Sequence, residues 1–131
     1  MVIEIDKARA IELLEQVVEI RGADYKYKPE GIQYAAGGCF YADVVTKTPS
    51  CGVGYALHLA GVDIETLYFL DKEDETSISV LNERPGEEDE TVLETFGIIL
   101  DHGAEKVFQR FQSYQDNGAA YTDSLNAAKG V

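Results

Sequence analysis

The sequence predicts a mostly helical α+β fold: a single globular domain over residues 1–131, with about five or six helices and one small β-hairpin. Three observations carry this reading. A chain of 131 residues with 45% hydrophobic content has enough apolar mass for one core and too little for two ordinary domains. Apolar residues recur at helical spacing in several separate stretches, each with its own start and stop residues. Between the first two stretches, tyrosines and glycines alternate in the manner of short strands around a turn.

The first helix is expected from Asp6 to Arg21. Ile11, Leu13, Leu14, Val17 and Val18 follow helical spacing, Asp6 can accept free N–H groups of the first turn, and Gly22 lies just past the end. Tyr25, Tyr27, Tyr34, Phe40 and Tyr41, with Gly31, Gly37 and Gly38 among them, predict a hairpin from about Tyr25 to Val45. The next helix is expected from Pro49 to Gly61, with Thr48 as its cap and Pro49 at the first position, where a missing N–H leaves nothing unpaired. Val53, Leu57 and Ala60 share a face of it. Gly52, Gly54 and Ala56 thin its other sides, so a neighbour can come close and the helix should be central and buried.

Ile64, Leu67, Tyr68 and Leu70 predict a short helix that runs into the acidic stretch Asp71 to Glu75. Ser77 ahead of Ile78 and Leu81 favours a helical turn there over the strand that simple alternation would allow. After the break at Arg84-Pro85-Gly86-Glu87, Thr91 and Glu94 form a capping box before Val92, Leu93, Phe96, Ile99 and Leu100. A helix is therefore expected from Thr91, interrupted at Asp101-His102-Gly103. Ala104, Val107, Phe108, Phe111 and Tyr114 trace another amphipathic face that closes at Asn117-Gly118, and Thr122 caps a terminal helix through Leu125 and Ala128.

With 24 Asp and Glu against 11 Lys and Arg, the formal charge is −13. Such a field repels phosphate backbones, so direct nucleic-acid binding is not expected; it favours solubility, a basic protein partner, or a basic groove in which carboxylates replace phosphates. The stretch Met1 to Asp6 is acidic where a secretory leader is basic, and no apolar run approaches the roughly 18 residues of a membrane span. A cytoplasmic protein without membrane contact follows, with Cys39 and Cys51 reduced.

Cys51, near a helix start, is the candidate nucleophile of a thiol enzyme. His58 cannot be its base on the same helix: seven positions at 1.5 Å each separate them by roughly 10.5 Å, far beyond hydrogen-bond reach. That leaves His102. Cys39, Cys51, His58 and His102 are the right types for zinc, but every gap exceeds the usual spacing of paired ligands. The acidic runs lack the alternating pattern and central glycine of a calcium loop, and Gly52 and Gly54 lack the lysine of a phosphate loop. No metal and no cofactor is expected. For binding, the candidates are Tyr25, Tyr27, Tyr34 and Tyr41, which offer large contact area at low entropic cost, and the acidic run Glu87, Glu88, Asp89 and Glu90.

Four stretches carry a family resemblance: Asp24-Tyr25-Lys26-Tyr27, Cys39-Phe40-Tyr41, the run from Pro49-Ser50-Cys51 to Leu57-His58-Leu59-Ala60-Gly61, and Gln115-Asp116-Asn117-Gly118 with Tyr121. In these the chain resembles an uncharacterised group of small proteins from actinobacteria and their phages. It departs from them at Tyr55, where they tend to carry a second histidine, and at Tyr121, where they tend to carry tryptophan. The resemblance implies a phage or actinobacterial setting and no particular mechanism. The expectation is an acidic, cytoplasmic, non-catalytic protein that binds a host or phage protein, phage-encoded and acting on its host. The alternatives are a cysteine-dependent enzyme using Cys51 and His102, and a nucleic-acid mimic occupying a basic groove.

Overall fold

The chain enters the fold as a strand, β1 (Ile3–Ile5), and turns at Asp6 into α1 (Lys7–Arg21). The computed structural model describes residues 2–27, 40–43, 45–71, 78–82 and 90–131. Both expected ends of α1 hold. Asp6 accepts the Arg9 N–H at 2.8 Å, and Gly22, at a φ of 104°, donates its N–H to the Val18 carbonyl.

Of the hairpin expected from about Tyr25 to Val45, residues 28–39 and 44 lie outside the described residues; a strand pair is described at its far end. Ala42–Asp43 (β2) pairs antiparallel with Thr48–Pro49 (β3), Ala42 opposite Pro49 and Asp43 opposite Thr48. Asp43 organises the turn by accepting the N–H groups of Val45 at 2.9 Å and Thr46 at 3.1 Å. Because Thr48 and Pro49 are extended in the hairpin, α2 (Gly52–Leu59) starts later than expected, with Cys51 at the cap and its sulfur accepting the Gly54 N–H at 3.4 Å. Proline fits β3 for the reason it fits a helix start: it brings no N–H that needs a partner.

α3 (Ile64–Asp71) and the single turn α4 (Ile78–Leu81) appear where the sequence placed them. The helix expected from Thr91 does not run on to Leu100. Thr91 caps it as foreseen, accepting the Glu94 N–H at 3.0 Å, but α5 spans only Val92–Thr95 and the chain turns at Gly97, at a φ of 79°. Ile98–Leu100 then forms β4, parallel to β1 with Ile3, Glu4 and Ile5 facing Ile98, Ile99 and Leu100. The two isoleucines favour extended backbone, and β1 supplies the hydrogen-bond partner. Asp101-His102-Gly103 is accordingly a beginning: Asp101 accepts the Ala104 N–H at 2.7 Å and caps α6 (His102–Asp116). The last helix, α7 (Tyr121–Lys129), has Ala120 rather than Thr122 at its cap position, without a side-chain cap bond.

The architecture is thus mostly helical α+β, with five helices of eight residues or more, two single turns and two short strand pairs among the described residues. One core joins Leu13, Leu14 and Val17 of α1, Ala56 and Leu57 of α2, Phe108 and Phe111 of α6, and Tyr121 and Ala128 of α7, all fully buried. Each such leucine or phenylalanine contributes about 1.5–3 kcal/mol by leaving water. The glycines of α2 admit its neighbours as the sequence implied. A Cβ on Gly54 would lie 2.3 Å from the Tyr41 carbonyl oxygen, and one on Gly52 2.3 Å from the Phe111 ring. No helix among the described residues is long and apolar enough to cross a membrane.

Candidate functional site

Of the candidate tyrosines, Tyr25, Tyr27 and Tyr41 are among the described residues, and these three do not form one exposed patch. Tyr41 is fully buried, and desolvation pushes its hydroxyl well above the ordinary tyrosine range. Tyr25 and Tyr27 are half-buried and belong to a polar knot around Arg21, at the end of α1. Arg21 donates to the carbonyls of Ser50 and, at 3.1 Å, Pro49, and to the Tyr121 hydroxyl at 3.0 Å. Its guanidinium lies over the rings of Tyr25 and Tyr55, 5.2 and 4.7 Å from their centroids. Tyr27 and Ser50 share a hydroxyl contact of 2.7 Å, and Tyr25 packs edge-on against Tyr121. Tyr121 donates on to the side-chain amide oxygen Oε1 of Gln115 at 3.0 Å, which also takes the Gly52 N–H at 2.7 Å. These groups join α1, α2, α6 and α7, so Tyr25 and Tyr27 serve the protein's own packing. Tyr34, Glu87, Glu88 and Asp89 lie outside the described residues; Glu90 is exposed.

Cys51 and His102 are not brought together. Cys51 is fully buried and disulfide-bonded, so it presents no thiolate; the expectation of a reduced cysteine does not hold at this position. Cys39 lies outside the described residues. The start of α2 meets α6 at Phe111 and Gln115, whereas exposed His102 opens that helix. Nine positions at 1.5 Å each put His102 roughly 13 Å along α6 from Phe111. The half-buried His58 is tied to the Val62 carbonyl through Nδ1 at 2.8 Å, where it fastens the turn after α2. Among the described residues, no three His, Cys, Asp or Glu side chains are grouped to hold a metal ion.

The unspent chemistry lies on α3. Leu67 and Leu70 are buried in the core, which turns Glu65, Tyr68 and Phe69 outward at the i, i+3, i+4 spacing of one helical face. Tyr68 is 38% and Phe69 42% exposed. Phe69 stacks on Phe96, centroids 6.3 Å apart and planes 11° from parallel, and Tyr68 leans on Phe69 at 6.4 Å. Phe96 follows α5 directly, and with Ile99 of β4 it remains about two-fifths exposed. Aromatic pairs at such distances contribute about 0.5–1.5 kcal/mol beyond their buried area, so the rings are held in place while still facing solvent.

Two hollows flank this ridge. The larger, about 400 Å³, is bordered by Ala42, Lys47, Ile64, Glu65 and Tyr68. The smaller, about 150 Å³, is bordered by Ile3, Gly61, Val62, Asp63, Thr66 and Phe96. Asp63 stands at the start of α3 and accepts the Thr66 N–H at 2.8 Å; hydrogen bonds from the Thr66 side chain and backbone hold its carboxyl below the usual range. At the other end of α3, Asp71 accepts the N–H groups of Tyr41 at 2.7 Å and Ala42 at 3.1 Å, while burial pushes its pKa up to about 6. The ridge is therefore anchored to β2 at its far end.

The sequence held a signal for this face. Five of the eight α3 residues, Ile64, Leu67, Tyr68, Phe69 and Leu70, are apolar, more than one helix face can bury. Comparison with protein-family models, curated proteins and solved structures finds no match.

Proposed function

We propose that the protein is a non-catalytic binding protein that docks a basic protein partner on the ridge formed by Tyr68, Phe69, Phe96 and Ile99. The observation that carries this reading is the stacked and exposed Phe69–Phe96 pair. Large apolar side chains that are held in place yet left in water mark contact surfaces, and aromatic residues dominate the energy of such contacts. Charge supports the choice of partner: a chain at −13 draws basic surfaces toward it and repels acidic ones. The resemblance to actinobacterial and phage proteins makes a protein of that host the class of partner to look for. A cysteine-dependent enzyme fits less well, because Cys51 has no free thiol and His102 is remote from it.

The test is a pull-down from actinobacterial lysate with the wild-type chain and with a Phe69→Ala, Phe96→Ala double variant whose melting temperature is checked first. One stoichiometric basic protein retained by the wild type and lost by the double variant is the expected result. Undiminished capture by the folded double variant removes the ridge from the contact surface.

A further inference from the structure

Resting on the reading of the α3 ridge as a docking surface, we propose that the smaller hollow is the receptor for one arginine side chain of the partner. Its volume of about 150 Å³ falls below the roughly 300–1,000 Å³ of small-molecule pockets and suits one side chain and no element of secondary structure. Its border combines what an arginine needs. Ile3 and Val62 give apolar wall for the aliphatic stem. Phe96 borders the hollow; Phe69, nearly parallel to it, stacks on one face and fixes the ring, and a guanidinium would take the other face. Asp63 supplies an exposed carboxylate that already takes the N–H and the side-chain hydroxyl of Thr66; of its roughly four acceptor sites, those left over can take the guanidinium.

Complementarity of charge decides among possible occupants. An acidic side chain would meet Asp63 directly, and a second copy of this chain would bring another −13. A neutral apolar side chain would fill the walls and leave the carboxylate without a counter-charge. Arginine suits the place better than lysine, since its planar, weakly hydrated head can stack on a ring and pair with a carboxylate in the same pose. The low pKa of Asp63 keeps that charge in place under mildly acidic conditions.

The experiment is an amide chemical-shift titration of the isotope-labelled full chain with a capped Gly-Leu-Arg-Leu-Gly peptide and with the same peptide carrying citrulline, the neutral isostere of arginine. Shifts are expected at Gly61, Val62, Asp63, Thr66 and Phe96. Citrulline is expected to weaken binding about tenfold, the scale of one charge-assisted hydrogen bond. Asp63→Asn retains an acceptor for the Thr66 N–H and is expected to reduce the arginine peptide to the citrulline level. Equal affinity of the two peptides, or indifference to Asp63→Asn, with shifts still along α3, overturns the arginine receptor and leaves the docking ridge standing. Shifts confined to other parts of the chain also overturn it, and the double-variant pull-down then decides separately whether the ridge docks a partner.

Discussion

Gly54→Ala tests how closely the centre of this fold is packed. The added methyl would lie 2.3 Å from the Tyr41 carbonyl oxygen, 2.6 Å from its Cα and 2.8 Å from its carbonyl carbon, where ordinary contact begins at 3.4 Å. Either α2 or the Tyr41 backbone must therefore move by about 1 Å. The backbone is poorly placed to move. The same Tyr41 carbonyl accepts the Ser50 N–H at 3.0 Å, and the Tyr41 N–H is held by Asp71 at 2.7 Å. Overpacking costs about 1–3 kcal/mol, and loosening a buried hydrogen bond adds about 1–3 kcal/mol. Against this stands the better helix propensity of alanine, about 1 kcal/mol. The expected net loss is about 3 kcal/mol, or about 10 °C in melting temperature for a domain of this size. Urea unfolding followed by circular dichroism measures it, with an unchanged m-value showing that the unfolding reaction is the same. Gly130→Ala is the control, because its nearest neighbour would lie 3.5 Å away, an ordinary contact, and it should match the wild type or exceed it slightly. A Gly54→Ala chain as stable as the wild type would refute the close approach of α2 to the Tyr41 backbone.

Two further predictions concern the links between elements. Arg21→Lys keeps the charge, but one ammonium cannot serve the Pro49 and Ser50 carbonyls, the Tyr121 hydroxyl and two tyrosine rings at once; a loss of about 2 kcal/mol is expected in denaturant unfolding, and a loss below about 0.5 kcal/mol would mean that the knot does not hold the helices together. Asp71 titrates near 6 in the folded chain against an ordinary 3.8, so the native state binds more protons than the unfolded state between those values. Its stabilising contribution is complete below about pH 4 and is lost as pH rises through about 6, and Asp71→Asn should flatten that part of the melting-temperature profile. A variant with an unchanged slope across the window would assign the pH dependence to other groups.

Much of the fold was legible in sequence because its signals are local. Asp6 and Gly22 bound α1, Thr91 caps α5, and the apolar spacings of α1, α3 and α6 mark most of their buried residues, Tyr68 and Tyr114 being the exposed exceptions. Gly52 and Gly54 announced a close neighbour, although not which one. What sequence reasoning missed depends on pairs far apart. Nothing near Ile98 says that Ile3 will lie beside it, and so a helical period was read through a strand. The cap of α2 moved from Thr48 to Cys51 because β2 claims Thr48 and Pro49 first.

The candidate site divides in the same way. The charge of −13 and the excess of apolar residues in α3 are properties of the chain alone. Tertiary structure decided which aromatic residues face water. Tyr41 was drawn into the core and Tyr25 onto Arg21, while Phe69 and Phe96 were stacked on the outside. A tyrosine or phenylalanine can serve as core or as contact surface with the same chemistry, and the choice is made by the elements that reach it first.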